Sequence, residues 1–164
     1  MAYLLDANVF IQAKNLHYGF DFCPAFWDWL VEQNERKNLF SIEKVKDELL
    51  AGSDELSEWA QLQGKKFFLS PDPKVFAALP RISEWVVAQG FDIAAVNTFF
   101  QVADYYLVSH AHAQQYTLVT HEIPAYTPKK IKIPNVCVGM GIKFINPYEM
   151  LRTERARFVL AKEL

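Results

Sequence analysis

Tyr3-Leu4-Leu5 is an unbroken apolar run that ends at Asp6. Short runs without alternation suit strands covered on both faces, as in parallel sheets. Phe67-Phe68-Leu69 and Thr117-Leu118-Val119-Thr120 have the same character. Between these runs the spacing turns helical. Pro24 opens a helix to about Arg36, with Phe26, Trp27, Trp29, Leu30 and Val31 on a broad apolar face. Leu39-Phe40-Ser41-Ile42 leads into a helix from about Glu43 to Leu50, capped by Ser41 and stopped by Gly52. Ser53 caps a further helix to about Gln63, and Pro71 and Pro73 bracket a turn before a long helix, about Lys74 to Gln89, closed by Gly90. One helical region spans about Ile93 to Gln115. Lys132 to Val138 leads to or contains a fourth strand, Phe144-Ile145 supplies a fifth, and a helix runs from Pro147 to about Glu154. Alternating strands and helices predict a three-layer α/β/α sandwich around a mostly parallel sheet of four to five strands.

The 164 residues suit a single domain, 1–164, and a hydrophobic content of 51% predicts a packed core rather than disorder. There is no repeat, low-complexity tract or obvious linker. Two cysteines, Cys23 and Cys137, are too few for a disulfide scaffold or a cysteine zinc site, which favours a reducing compartment. Met1 enters the first strand without a basic leader, and no apolar run approaches the roughly 20 residues that cross a bilayer. The expectation is a cytoplasmic protein with no membrane contact.

Net charge is only −2, yet it is unevenly spread: residues 1–124 hold 9 Lys and Arg against 16 Asp and Glu, and residues 125–164 hold 8 against 3. Solvated helix faces explain such an asymmetry. So does an acidic metal site with a basic flank for phosphates.

Candidates for that acidic site are Asp6, Glu48, Asp104 and Glu122. Asp6 ends a buried strand, where open α/β sheets place their ligands. Glu48 lies near the stripe of Ile42, Val45 and Leu49, and Asp104 lies beside that of Phe100, Ala103, Leu107 and Val108. Carboxylates on buried stripes are uncommon, because burial disfavours their charged form. Taken singly, each reads as a helix cap or a salt-bridging group. Together they offer four oxygen donors without thiolates or clustered histidines, which suits Mg²⁺ or Mn²⁺ rather than zinc. His121, beside Glu122, is either a loop histidine touching backbone or an aid to proton transfer. The four tryptophans fit core packing or a protein interface better than base stacking.

The order Leu4-Leu5-Asp6-Ala7-Asn8-Val9-Phe10-Ile11, Val45-Lys46-Asp47-Glu48, Val102-Ala103-Asp104-Tyr105-Tyr106-Leu107-Val108 and Leu118-Val119-Thr120-His121-Glu122 resembles the PIN domain. The tryptophan-rich segment Cys23 to Leu30 resembles a PIN-like subgroup, the DUF4411 family. The resemblance covers nearly the whole chain. It implies an Mg²⁺- or Mn²⁺-dependent endoribonuclease of the VapC toxin type, cutting RNA by attack of water to leave a 5′-phosphate and a 3′-hydroxyl. It further implies a cognate antitoxin that pushes an arginine or a helix into the acidic groove, and a homodimer. By position, Asp6 would bridge the metals and Glu48 and Asp104 would complete the site. Asn8 would orient ligands or substrate, and Thr120 would bond within the cluster. Glu122 stands where the family usually has Asp, one methylene shorter. Lys46, Lys129 and Lys130 are candidates for phosphate contact.

Two other readings compete. Glu122 favours a PIN-like binding or regulatory module without turnover, whereas Asp6, Glu48 and Asp104 argue against one. A phosphatase of the haloacid-dehalogenase kind needs a second Asp two residues after Asp6, where Asn8 stands.

Overall fold

The computed structural model describes residues 1–162. Five strands form one all-parallel sheet: β1 (Tyr3–Leu5), β2 (Leu39–Ile42), β3 (Phe68–Leu69), β4 (Thr117–Val119) and β5 (Phe144–Ile145), in the order β3-β2-β1-β4-β5. β1 and β4 are buried along their whole length, as unbroken apolar runs demand. Leu4 pairs with Phe40 on one side and with Leu118 on the other. Helices flank the sheet, giving the expected three-layer α/β/α architecture. They are α1 (Ala7–Gln12), α2 (Pro24–Glu35), α3 (Glu43–Leu50), α4 (Glu55–Leu62), α5 (Pro73–Val87), α6 (Ile93–Gln101), α7 (Ala103–Gln114), α8 (Ile133–Met140) and α9 (Pro147–Thr153). A π-helical turn, Ala13–His17, extends α1.

The strand membership corrects the sequence reading at two places. Leu39–Ile42 is a full sheet member, where the pattern suggested only a lead-in to a helix. Lys132 to Val138 holds no strand and instead starts α8. Pro134 sits in the first turn, Ile133, Val136 and Cys137 are buried at helical spacing, and Gly141 closes the helix at φ +68. Gly139 lets α8 approach α5, because a Cβ there would overlap the Trp85 indole.

The capping residues also shift. The Ser41 hydroxyl donates to the Leu5 carbonyl at 2.7 Å, tying β2 to β1 rather than capping α3. Asp54, not Ser53, caps α4, its Oδ1 accepting from the Ser57 N–H at 3.0 Å. Asp72 caps α5 in the same way, accepting from the Val75 N–H at 3.0 Å. The helix expected over Ile93 to Gln115 breaks at Val102, which is extended at φ −104 and ψ 166. The break moves Asp104 from mid-helix to the first turn of α7, where the helix dipole favours a negative charge.

The core is aromatic on the α1 side. The fully buried Phe10 ring lies 5.8 Å from Trp59, 6.2 Å from Phe67 and 6.1 Å from Phe68. Trp27 is buried too, edge-on to Trp59 at 5.0 Å, and its indole N–H donates to the Tyr18 carbonyl at 2.7 Å. These contacts agree with core packing for Trp27 and Trp59. Both cysteines are free. Among the described residues no helix is long and apolar enough to cross a membrane.

Candidate functional site

The strand order runs outward in both directions from β1, so the chain reverses its winding between β1 and β4. In open parallel sheets the loops beyond such a pair of strand ends diverge and leave a crevice. Asp6 follows β1 directly, and Thr120 and Glu122 follow β4. The Asp6 N–H donates to the Val119 carbonyl at 3.0 Å, holding the two strand ends side by side.

A hydrogen-bond network fixes Asp6. Its Oδ1 accepts from the Ala7 N–H at 2.7 Å, capping α1, and its Oδ2 accepts from the Thr120 hydroxyl at 2.8 Å. The Thr120 oxygen in turn accepts from the Glu122 N–H at 3.1 Å and from Asn8 Nδ2 at 3.4 Å. Donor and both acceptor positions of that hydroxyl are thereby used. Asn8 closes the ring by accepting from the His121 N–H at 3.2 Å. Asp6, Asn8, Thr120 and Glu122 thus belong to one network, although 114 residues separate Asp6 from Thr120.

The carboxylates feel one another. Burial, the charges of Asp104 and Glu122 and incomplete compensation by Thr120 and Ala7 push the Asp6 carboxyl up to about 8. Burial, then the charges of Glu122 and Glu48, push Asp104 up to about 6, with Lys130 and Lys132 acting in the opposite sense. Glu48 is also raised, by the protein mass around a carboxyl that still reaches solvent. Glu122 Oε2 accepts from the Ile133 N–H at 2.9 Å, one of the free donors at the start of α8. The longer Glu side chain therefore spans the crevice to a second helix. Burial, then the charges of Glu122 and Asp6, push the Cys137 thiol up to about 12.

A groove of about 510 Å³ leads away from Asp104 and Glu48, with Lys129 and Lys130 on its rim and Ala94, Ala95 and Phe99 among its walls. The loop carrying the lysines is tied down by the Asp92 N–H, which donates to the Pro128 carbonyl at 3.0 Å. Lys46 lies elsewhere: its Nζ donates to the Gln63 carbonyl at 2.7 Å and stands over the Phe68 ring, where it fastens α3 to the end of α4.

Among the described residues no Lys or Arg forms an ion pair with the carboxylates of the crevice. Among the described residues the ion pairs are Lys14–Asp54 and Arg36–Glu32, neither of them in the site. The donor set is all oxygen, which suits a hard divalent ion such as Mg²⁺ or Mn²⁺. Among the described residues no three of His, Cys, Asp and Glu are drawn close enough to hold one ion together, so the carboxylates border a common crevice rather than converge on a point.

Two residues near the crevice carried no signal as partners of the carboxylates: His17, from the π-helical turn, and Tyr148, from α9. Their side chains hydrogen-bond at 2.9 Å and sit beside His121. They are 131 residues apart, and nothing local in either segment marks the meeting.

Comparison with solved structures finds similarity to a chain in the crystal structure of VapBC2 from Rickettsia felis bound to a DNA fragment from their promoter. The TM-score is 0.51 and the identity 20%, over 89% of this chain and 98% of that one, a likeness of fold. Comparison with curated proteins finds no match. Residues 3–158 match the family model described as DUF4411, a domain of unknown function. With nearly its whole length matched and the five-stranded parallel sheet in place, the chain belongs to the DUF4411 family and has a PIN-like fold.

Proposed function

We propose that this protein is a divalent-metal-dependent endoribonuclease and the toxin of a VapBC-like toxin–antitoxin pair. The observation that carries the reading is the group of four carboxylates at the reversal point of the sheet, two of which, Asp6 and Asp104, are raised by burial and by neighbouring carboxylates, with no ion pair to any of the four among the described residues. Buried negative charge of this kind is costly unless something pairs with it. Asp6, Asp104, Glu48 and Glu122 would hold Mg²⁺ or Mn²⁺ in pairs and through water rather than as one four-carboxylate cage, and such an ion would acidify water and neutralise charge on a phosphodiester.

The chain's own residues do the rest. Thr120 and the Ala7 N–H fix both oxygens of Asp6, so the carboxylate keeps its orientation as charge shifts nearby. Asn8 locks the loop after β4 to the first turn of α1 by accepting from the His121 N–H. Lys129 and Lys130 offer cations to the phosphates of a strand lying in the groove. The fold neighbour comes from a VapBC2 complex. By that analogy a cognate antitoxin covers the groove of this chain, an arginine or helix meeting the acidic end.

A second reading, a PIN-like regulatory module without turnover, draws support from the bond between Glu122 and the Ile133 N–H, which engages one carboxylate oxygen. Incubation of a mixed RNA pool with Mg²⁺, with Mn²⁺ and with EDTA, beside Asp6→Asn, separates the two. The nuclease gives discrete metal-dependent products, and Asp6→Asn lowers their rate by about 10³-fold, the scale set by losing a preorganised charge-stabilising group. Protein that takes up Mn²⁺ yet cuts nothing would hand the argument to the regulatory module.

A further inference from the structure

Beside Glu122 lies a second hollow of about 320 Å³. Its lining includes Thr120, His121, Glu122, Asn146, Tyr148 and Glu149. The hollow meets the carboxylates at Glu122 and Thr120, and the lysine groove meets them at Asp104 and Glu48. An RNA strand bound at the carboxylates therefore has two hollows to occupy, one on the Asp104 side and one on the Glu122 side.

Two rings on the wall of the second hollow, those of His121 and Tyr148, meet nearly edge to face, with centroids 5.8 Å apart and planes at 67°. Behind them stands His17, 5.9 Å from His121 and 5.6 Å from Tyr148. The bond between the Tyr148 hydroxyl and His17 Nε2, at 2.9 Å, fixes the tyrosine, and the bond from the His121 N–H to Asn8 fixes the histidine backbone. All three residues are half-buried and outside the apolar core, and His121 and Tyr148 line the hollow. The rings come from a π-helical turn, a strand end and a helix start. Interruptions of regular helix like this turn are frequent at functional sites.

The charges say which part of a nucleotide fits. Two carboxylates, Glu122 and Glu149, line the hollow, and no Lys or Arg does. A phosphate is repelled there, whereas an uncharged base gains stacking on the rings and finds hydrogen-bond acceptors at the rim. We propose that His121 and Tyr148, backed by His17, form a nucleobase subsite that holds the base across the carboxylates from Lys129 and Lys130. The subsite rests on the RNA reading of the neighbouring crevice and adds to it the residues that position the strand beyond the cut.

The test separates binding from cleavage. A fluorescein-labelled single-stranded RNA pool is titrated in EDTA with wild type, His121→Leu, Tyr148→Leu and Tyr148→Phe, read by anisotropy, with thermal unfolding recorded for each. Loss of one stacking ring weakens binding by about 5- to 100-fold. The expected result is that loss in both leucine variants, with Tyr148→Phe regaining most of it because the ring survives without its hydroxyl. If Tyr148→Leu unfolds, His121→Leu still decides, since the bond that holds residue 121 is made by its backbone. Wild-type affinity in both leucine variants overturns the subsite. So does a Tyr148→Phe variant as weak as Tyr148→Leu, which makes the cluster structural, and so does a wild type that binds no RNA. Binding that follows this pattern beside protein that never cuts RNA in Mn²⁺ would sink the nuclease reading and leave the subsite standing.

Discussion

Asp6 and Phe10 are four residues apart, and they live under opposite rules. Phe10 is fully buried among Trp59, Phe67 and Phe68, with no polar atom to satisfy and no charge to neutralise. Asp6 is almost as buried, yet it carries an ionisable group beside Asp104 and Glu122. The first region stabilises the fold by removing apolar surface from water. The second opposes folding whenever its carboxyls are charged and unpartnered. One short segment thus joins a stability centre to a strained centre, with Phe10 anchoring in the core the helix that Asp6 caps.

The largest expected effect breaks the apolar side. Phe10→Ala leaves a cavity among three aromatic rings and should cost about 3–5 kcal/mol in urea unfolding. A loss under about 1 kcal/mol would show that the aromatic cluster is not where stability resides.

The next effect sharpens the polar side. A metal that binds only the folded state at a hundred times its Kd adds about 2.7 kcal/mol. Saturating Mn²⁺ at pH 8 should raise the unfolding free energy by that order. Without metal, the sign of the pH dependence is set by Asp6, which rises from an ordinary 3.8 to about 8 on folding. Its stabilising contribution is full below the ordinary value, where both states are protonated, and is lost as pH climbs through the folded value. His110 works the other way: burial lowers it from 6.5 to about 4, so it destabilises the fold as pH falls below 6.5. The interval from pH 6.5 to 8 isolates the carboxylate. In EDTA stability should fall there by about 1–2 kcal/mol, and Asp6→Asn should flatten the slope. A wild-type stability that rises across that interval would mean the crevice is not strained by charge.

Smaller still is the effect at Glu122, where the two regions' rules meet. The Asp of the PIN pattern is one methylene too short to keep the bond that Glu122 makes to the Ile133 N–H. Glu122→Asp should therefore cost about 0.5–2 kcal/mol in thermal unfolding, the scale of a lost helix cap, while Glu122→Gln keeps an acceptor oxygen and costs less. Equal losses from the two would assign the cost to charge rather than reach.

The contrast also explains what the sequence could reveal. β1 and β4 were legible because each is a short unbroken apolar run ending in polar residues, a signal that needs no tertiary knowledge. The carboxylate after β1 was legible for the same reason, since a charge at the end of a buried strand is conspicuous. Lys132 to Val138 misled because a short apolar run fits a buried strand or a buried helix equally, and here Pro134 and Gly141 decide for the helix. The break at Val102 was invisible because no Gly or Pro marks the extended backbone there. The meeting of His17, His121 and Tyr148 was out of reach altogether, because it follows from how the turn after α1 and the start of α9 settle against the end of β4.

Lys46 gives the smallest effect and the finest distinction. Two residues from Glu48 in sequence, it invites a role in binding phosphate, but its ammonium is committed to the Gln63 carbonyl. Lys129 and Lys130 have no such commitment within the groove that starts at Asp104. A lysine that contacts phosphate releases a counterion, so its removal weakens RNA binding and lowers the salt slope by about 1. Lys129→Ala and Lys130→Ala should each show that change in anisotropy titrations over a range of salt. Lys46→Ala should leave the salt slope alone and lose about 0.5–1.5 kcal/mol of stability, the net worth of one hydrogen bond. If Lys46→Ala instead lowers the slope as the other two do, the strand passes over α3, and the groove between Asp104 and the lysine loop is not its path.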